Sequence, residues 1–116
     1  MNSPLNLDGI RMHAIKTAPN GAVNADTYFN FHQAGSSVWA DYAGGRVVRG
    51  YLVGKLDGNE LEFRYCQHEA GDIIRGGSSN CVVKQDSNSP AQLIERFAWE
   101  SGGGHGVNVI QEVVEL

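Results

Sequence analysis

The sequence predicts an all-β fold: one domain over residues 1–116, closed as a single eight-stranded antiparallel up-and-down barrel. Three observations carry this expectation. Turn residues recur about every ten positions, the spacing of short strands joined by tight hairpins. The segments between them alternate apolar and polar residues, and none sustains apolar positions three and four apart between caps, so helix content should be low. A chain that is nearly all hairpin must also dispose of its sheet edges, and closure removes them.

The turns delimit the elements in order. The first strand, 10–17, runs into Pro19-Asn20-Gly21, and the second, 25–33, into Ala34-Gly35-Ser36. The third, 37–43, stops at Gly44-Gly45, and the fourth, 46–56, turns through Asp57-Gly58-Asn59, which should pair Leu56 with Glu60. Ala70-Gly71-Asp72 separates the fifth, 60–69, from the sixth, 72–84. Asp86 to Pro90 leads to the seventh, 91–100, and Gly102 to Gly106 forms a flexible loop before the eighth, 107–115. Pro90 would suit a helix N-terminus, yet Leu93, Glu95, Phe97 and Trp99 alternate with strand period and are rich in aromatics. Met1 to Leu7 is expected to fray.

Charges assign the inward faces of four strands. In the fourth, Arg49 and Lys55 send Val47, Tyr51 and Val53 outward, leaving Val48, Gly50, Leu52, Gly54 and Leu56 for the interior. Glu60, Glu62 and Arg64 likewise turn Leu61, Phe63, Tyr65 and Gln67 inward on the fifth. The second strand turns Thr27, Phe29 and Phe31 inward, and the seventh Leu93, Glu95, Phe97 and Trp99. Glu95 is then the only charge placed inside. Burying it costs heavily without a partner, so it either anchors a polar ligand group or pairs with Arg11, Arg46 or Arg75. Aromatic walls with a few convergent polar tips define a pocket, and Trp39, Tyr42, Tyr65, Gln67, Glu95, Phe97 and Trp99 form the candidate cavity, left open by Gly50 and Gly54.

Composition narrows the function. A 116-residue chain with 41% hydrophobic content can bury a core without disulfide or metal staples. A net charge of -4 and a pI near 5.4 lack the positive field that nucleic acid or an anionic membrane needs. Residues 1–10 show no signal-peptide pattern and no apolar run approaches a membrane span, so a cytoplasmic protein is expected. Cys66 and Cys81 fall several residues out of register across the fifth and sixth strands, so two free thiols are expected.

Enzyme templates fit poorly. There is no G-x-S-x-G elbow, P-loop, H-E-x-x-H or acetyl-CoA-binding loop, and Gly102-Gly103-Gly104-His105-Gly106 lies between antiparallel strands rather than before a helix. His13, His32, His68 and His105 are scattered, so neither a metal nor another cofactor is expected. Two readings stay open: a small-molecule-binding barrel, and a ligand-free interaction module with a solid interior that forms a homo-oligomer on Val47, Tyr51 and Val53.

The runs Val38-Trp39-Ala40-Asp41-Tyr42-Ala43-Gly44-Gly45, Val48 to Lys55, Phe63-Arg64-Tyr65 and Glu95 to Gly102 resemble a group of small bacterial barrels regarded as avidin-like, some of which carry the name N-acetylglutamate synthase. The resemblance covers most of residues 8–115 and implies an avidin- or lipocalin-like barrel; the missing acetyl-CoA loop argues against the synthase activity. Tyr42 is the best match to a ligand-contacting avidin tyrosine, whereas residues that would hold a biotin ureido ring do not map individually.

Overall fold

The computed structural model describes residues 5–100 and 103–114. Eight strands, β1 (Arg11–Lys16), β2 (Tyr28–Ala34), β3 (Ser37–Gly44), β4 (Val47–Asp57), β5 (Glu60–Glu69), β6 (Ile73–Asp86), β7 (Ser89–Trp99) and β8 (His105–Glu112), follow one another around a closed barrel. All neighbours are antiparallel, and β8 returns to β1 with Ala14 opposite Ile110. No helix occurs among the described residues, and the segment that opens at Pro90 is strand.

Three local features differ from the sequence reading. The β4–β5 hairpin has a two-residue loop, Gly58-Asn59, with Gly58 at φ +61°, so Asp57 pairs with Glu60 and Leu56 with Leu61. The second strand starts late because Thr27 closes a turn on Asn24: its amide donates to the Asn24 carbonyl, and its Oγ1 accepts from the Asn24 amide. β8 begins at His105, since Gly106 pairs with Phe97 and His105 with Ala98; Gly102 of the expected loop lies outside the described residues.

The inward faces of β2, β5 and β7 are those the charges assigned, with Phe29, Phe31, Leu61, Phe63, Leu93 and Phe97 all buried. In β4 the assignment holds for Gly50 and Leu52 but fails at its start: Val47 is buried and Val48 exposed. A register shift against β5 between Val47 and Arg49 inserts one residue and inverts the phase there. The strands without charge signals turn Val38, Ala40 and Tyr42 (β3), Ser79, Cys81 and Val83 (β6) and Asn108 and Ile110 (β8) inward. Cys81 is buried and Cys66 exposed, and both thiols are free.

Four glycines facing the lumen each lie directly opposite an aromatic residue: Gly50 opposite Tyr42, Gly54 opposite Phe63, Gly77 opposite Tyr65 and Gly106 opposite Phe97. A Cβ on Gly50 would stand 2.3 Å from the Tyr42 ring, and one on Gly106 would stand 2.7 Å from that of Phe97. Gly50 and Gly54 therefore leave no opening. At Gly50 the Tyr42 ring fills the space a side chain would take, and at Gly54 the Glu62 carbonyl and the Phe63 Cβ do.

The end of the barrel at the β2–β3, β4–β5 and β6–β7 hairpins is closed by the segment before β1. Leu7 is fully buried, its amide donating to Gln33 Oε1, while Asn6 exchanges backbone hydrogen bonds with the Gln85 side chain. Leu5 to Leu7 is thus docked rather than frayed, and residues 1–4 of the stretch expected to fray lie outside the described residues. Around Leu7 the interior is wholly apolar: Met12, Phe31, Val38, Leu61, Leu93 and Ile110.

Gly50→Ala should destabilise the barrel by about 1–3 kcal/mol, the range for overpacking a filled interior. A parallel Gly58→Ala, where the turn conformation rather than space is at issue, reports the backbone cost alone. Chemical denaturation measures both, and a Gly50→Ala protein as stable as the parent would remove the ring-on-glycine account.

Candidate functional site

The opposite end is built differently. Residues 17–27, the longest described connection, fold over it: the Ala18 amide donates to Asn108 Oδ1 (3.0 Å), Asn20 Nδ2 to the His105 carbonyl (3.1 Å), and Thr27 Oγ1 to the Gly44 carbonyl (3.0 Å). Beneath them lies a cavity of about 30 Å³, on the order of one or two waters. Its walls are Phe29, Tyr42, Phe63, Tyr65, Phe97 and Trp99, with Leu52, Gln67, Glu95 and Asn108, under a roof of Gly21, Ala22 and Val23.

Tyr42, Tyr65, Gln67, Glu95, Phe97 and Trp99 therefore meet in one hollow, as the alternation of β3, β5 and β7 brings them inward. Trp39 does not. It stands on the outer face, 40% exposed and stacked on His32 at 5.6 Å, because it alternates with the inward Val38 and Ala40.

Glu95 is 6% exposed and held by two neutral donors: Ser79 Oγ donates to Oε2 at 2.6 Å and Asn108 Nδ2 to Oε1 at 3.0 Å. Among the described residues no cation pairs with it. Arg75 and Arg46 instead face Glu69, and the Arg11 guanidinium lies 4.2 Å from the Tyr28 ring centre. Burial pushes the Glu95 carboxyl up, and the Ser79 and Asn108 hydrogen bonds offset only part of this. Burial first, and the Glu95 charge second, also raise the Tyr42 and Tyr65 hydroxyls well above the ordinary tyrosine range.

Glu69 is a second buried carboxylate, fully shielded, so Glu95 is not the only interior charge. It lies two residues beyond Gln67 on the same face of β5, so alternation alone would have found it. Arg75 grips it twice, Nε donating to Oε2 at 2.8 Å and Nη2 to Oε1 at 2.9 Å, while Gln67 Nε2 donates to Oε2 at 2.9 Å. Burial alone would raise this carboxyl, but the Arg75 and Gln67 hydrogen bonds and the Arg75 and Arg46 charges outweigh it and hold Glu69 below its usual value. The Arg75 guanidinium also lies 4.0 Å from the Trp99 ring centre, and Trp99 Nε1 donates to the Asn20 carbonyl at 3.3 Å. Among the described residues, no group of three or more His, Cys, Asp or Glu side chains is placed to hold a metal.

A family model described as Avidin-like protein matches residues 5–113. The chain belongs to the avidin-like family, whose barrels are in general binding rather than catalytic proteins. Neither the curated proteins nor the solved structures yielded a match to it.

The two glutamates should pull stability in opposite directions with pH. Glu69, lowered in the fold, contributes stability that is present above the unfolded carboxylate range and lost as pH falls through its folded value. Glu95, raised in the fold, contributes stability present below that range and lost as pH rises through its folded value. Glu95→Gln should therefore remove a decline in melting temperature on the alkaline side of the carboxylate range. Arg75→Met should destabilise by up to about 3 kcal/mol, by leaving Glu69 buried without its principal partner. Melting curves from pH 3 to about pH 8 test both; an unchanged pH profile in Glu95→Gln would place that carboxyl in water.

Proposed function

We propose that this barrel binds a small molecule in the hollow under residues 17–27, with Glu95 as polar anchor, and performs no chemistry on it. One observation carries the reading: a buried carboxyl lines a cavity with aromatic walls and is met only by neutral donors. A purely structural interior has little use for such a group, which apolar residues would replace at no loss. The hydroxyl nearest a base, Ser79, is itself buried behind the lining and hydrogen-bonded to Glu95, so it is poorly placed as a nucleophile.

Native mass spectrometry of protein purified without denaturation should find a low-mass adduct on the parent and none on Glu95→Gln, with the melting temperature of the variant equal or higher. Loss of stability in the variant with no difference in adducts would make Glu95 structural.

The outer face supports a second proposal, a homo-oligomer. Tyr51 and Val53, 57% and 60% exposed, adjoin Trp39, and Val48 and Ile74 extend the apolar area. Val47, buried in the barrel, takes no part. Charges of both signs frame the patch, Asp41 and Glu62 with Arg49 and Arg64, which is compatible with its packing on its own copy. The exposed free thiol of Cys66 in the same area fits a protein of a reducing compartment, which we take to be the cytoplasm. Light scattering at high micromolar concentration should give a mass above 12.6 kDa for the parent and a monomer for Tyr51→Glu; a monomeric parent would dispose of this surface as a subunit contact.

A further inference from the structure

The direction of the hydrogen bonds around the hollow restricts what enters it. Glu69, ionised against Arg75, can only accept, so Gln67 must turn its nitrogen to Glu69 and its oxygen to Tyr42. Tyr42 must then donate, and its Oη–H does so to Gln67 Oε1 at 2.8 Å. Arg75 thereby sets the polarity of a relay whose last member presents only lone pairs to the cavity. Tyr65 spends its proton in the same way, on the Ala98 carbonyl at 3.3 Å. Glu95 is an acceptor when ionised. Apart from Asn108, whose nitrogen donates to Glu95, the polar tips converging on the hollow are acceptors, and the remaining wall is largely aromatic ring, whose faces are negative.

We propose that the group bound in this hollow is a compact ammonium cation, a primary or methylated amine head, with any remainder of the molecule passing residues 17–27. The inference rests on the reading of the hollow as a binding site. A cation supplies the counter-charge that the chain withholds from Glu95, and the rings around it form the aromatic cage that suits an ammonium group. A neutral N–H donor would meet the same acceptors but leave the carboxylate uncompensated. Trp99 already stacks against one cation, Arg75, whose charge is matched by Glu69 and so does not repel a second. The small volume of about 30 Å³ admits only a head of a few atoms without movement of the roof.

Trp39→Phe, altered on the outer face, leaves Trp99 as the sole tryptophan and reporter. In that background, methylammonium, trimethylammonium and choline are titrated against urea and 3,3-dimethylbutan-1-ol, the uncharged carbon analogue of choline. At least one cation should change Trp99 fluorescence saturably, at least tenfold more tightly than the neutral compounds, and lose at least tenfold in Glu95→Gln. If Glu95→Gln does not fold, the comparison of methylammonium with urea, both small enough for the hollow, decides alone. Binding of urea or the alcohol as tightly as any cation overturns the ammonium assignment and leaves the binding site standing. Silence from every compound, with no adduct on the native protein, overturns both.

Discussion

The narrowness of an eight-stranded barrel governs everything inside this one. At this strand number side chains just fill the interior, and the chain nevertheless directs six aromatic rings toward one end. They fit because glycines leave room opposite them: the Tyr42 ring lies against Gly50 and the Phe97 ring against Gly106, the hydroxyl end of Tyr65 meets Gly77, and the Glu62 carbonyl and Phe63 Cβ close over Gly54, each pair in direct cross-strand register. A ring lying over its neighbour's backbone leaves the axis free. The cavity is what remains after these pairs have formed, and its small size is a direct result.

Along the axis the interior changes character. Leu7, Met12, Phe31 and Leu93 make a dry, apolar plug at one end, whereas Gln67, Glu69, Glu95 and Asn108 occupy the other. The two glutamates there are solved differently. Glu69 is neutralised by Arg75 and approached by Arg46 to 4.0 Å, and it organises the relay to Tyr42. Glu95 receives only a hydroxyl and an amide. Apolar packing thus holds the barrel shut at one end, and the cost of a carboxyl without a counter-charge is concentrated at the other.

Much of this was legible in the residues. Period-two alternation with charges on one side placed Phe63, Tyr65 and Gln67 of β5 and Glu95, Phe97 and Trp99 of β7 correctly, because an outward charge fixes the phase of a whole strand. The β4 bulge was not legible: Val47 and Val48 are both apolar, so nothing local says which one faces in. Trp39 misled because its size suggests a pocket, while its neighbours Val38 and Ala40 show the opposite phase. Glu69 shares the inward face of β5 with Gln67, so alternation places it inside, and it was passed over only by type: a glutamate at a strand end reads as solvated. Leu7 was hidden by position, near the start of the sequence, where no periodicity marks a docked segment.

Asn108 has a double attachment. Its nitrogen holds the Glu95 carboxyl and its oxygen holds the backbone amide of Ala18, the first anchor of the connection that roofs the hollow. One side chain therefore ties the anchor to the door. A guest of the proposed kind that drew Glu95 toward itself would tug the same amide, and displacement of residues 17–27 would pull on one of the two donors of Glu95. Under the proposed binding reading, entry and exit would depend on residues 17–27, and the Ala18 amide, held by Asn108, is the place where hydrogen exchange would report their lifting.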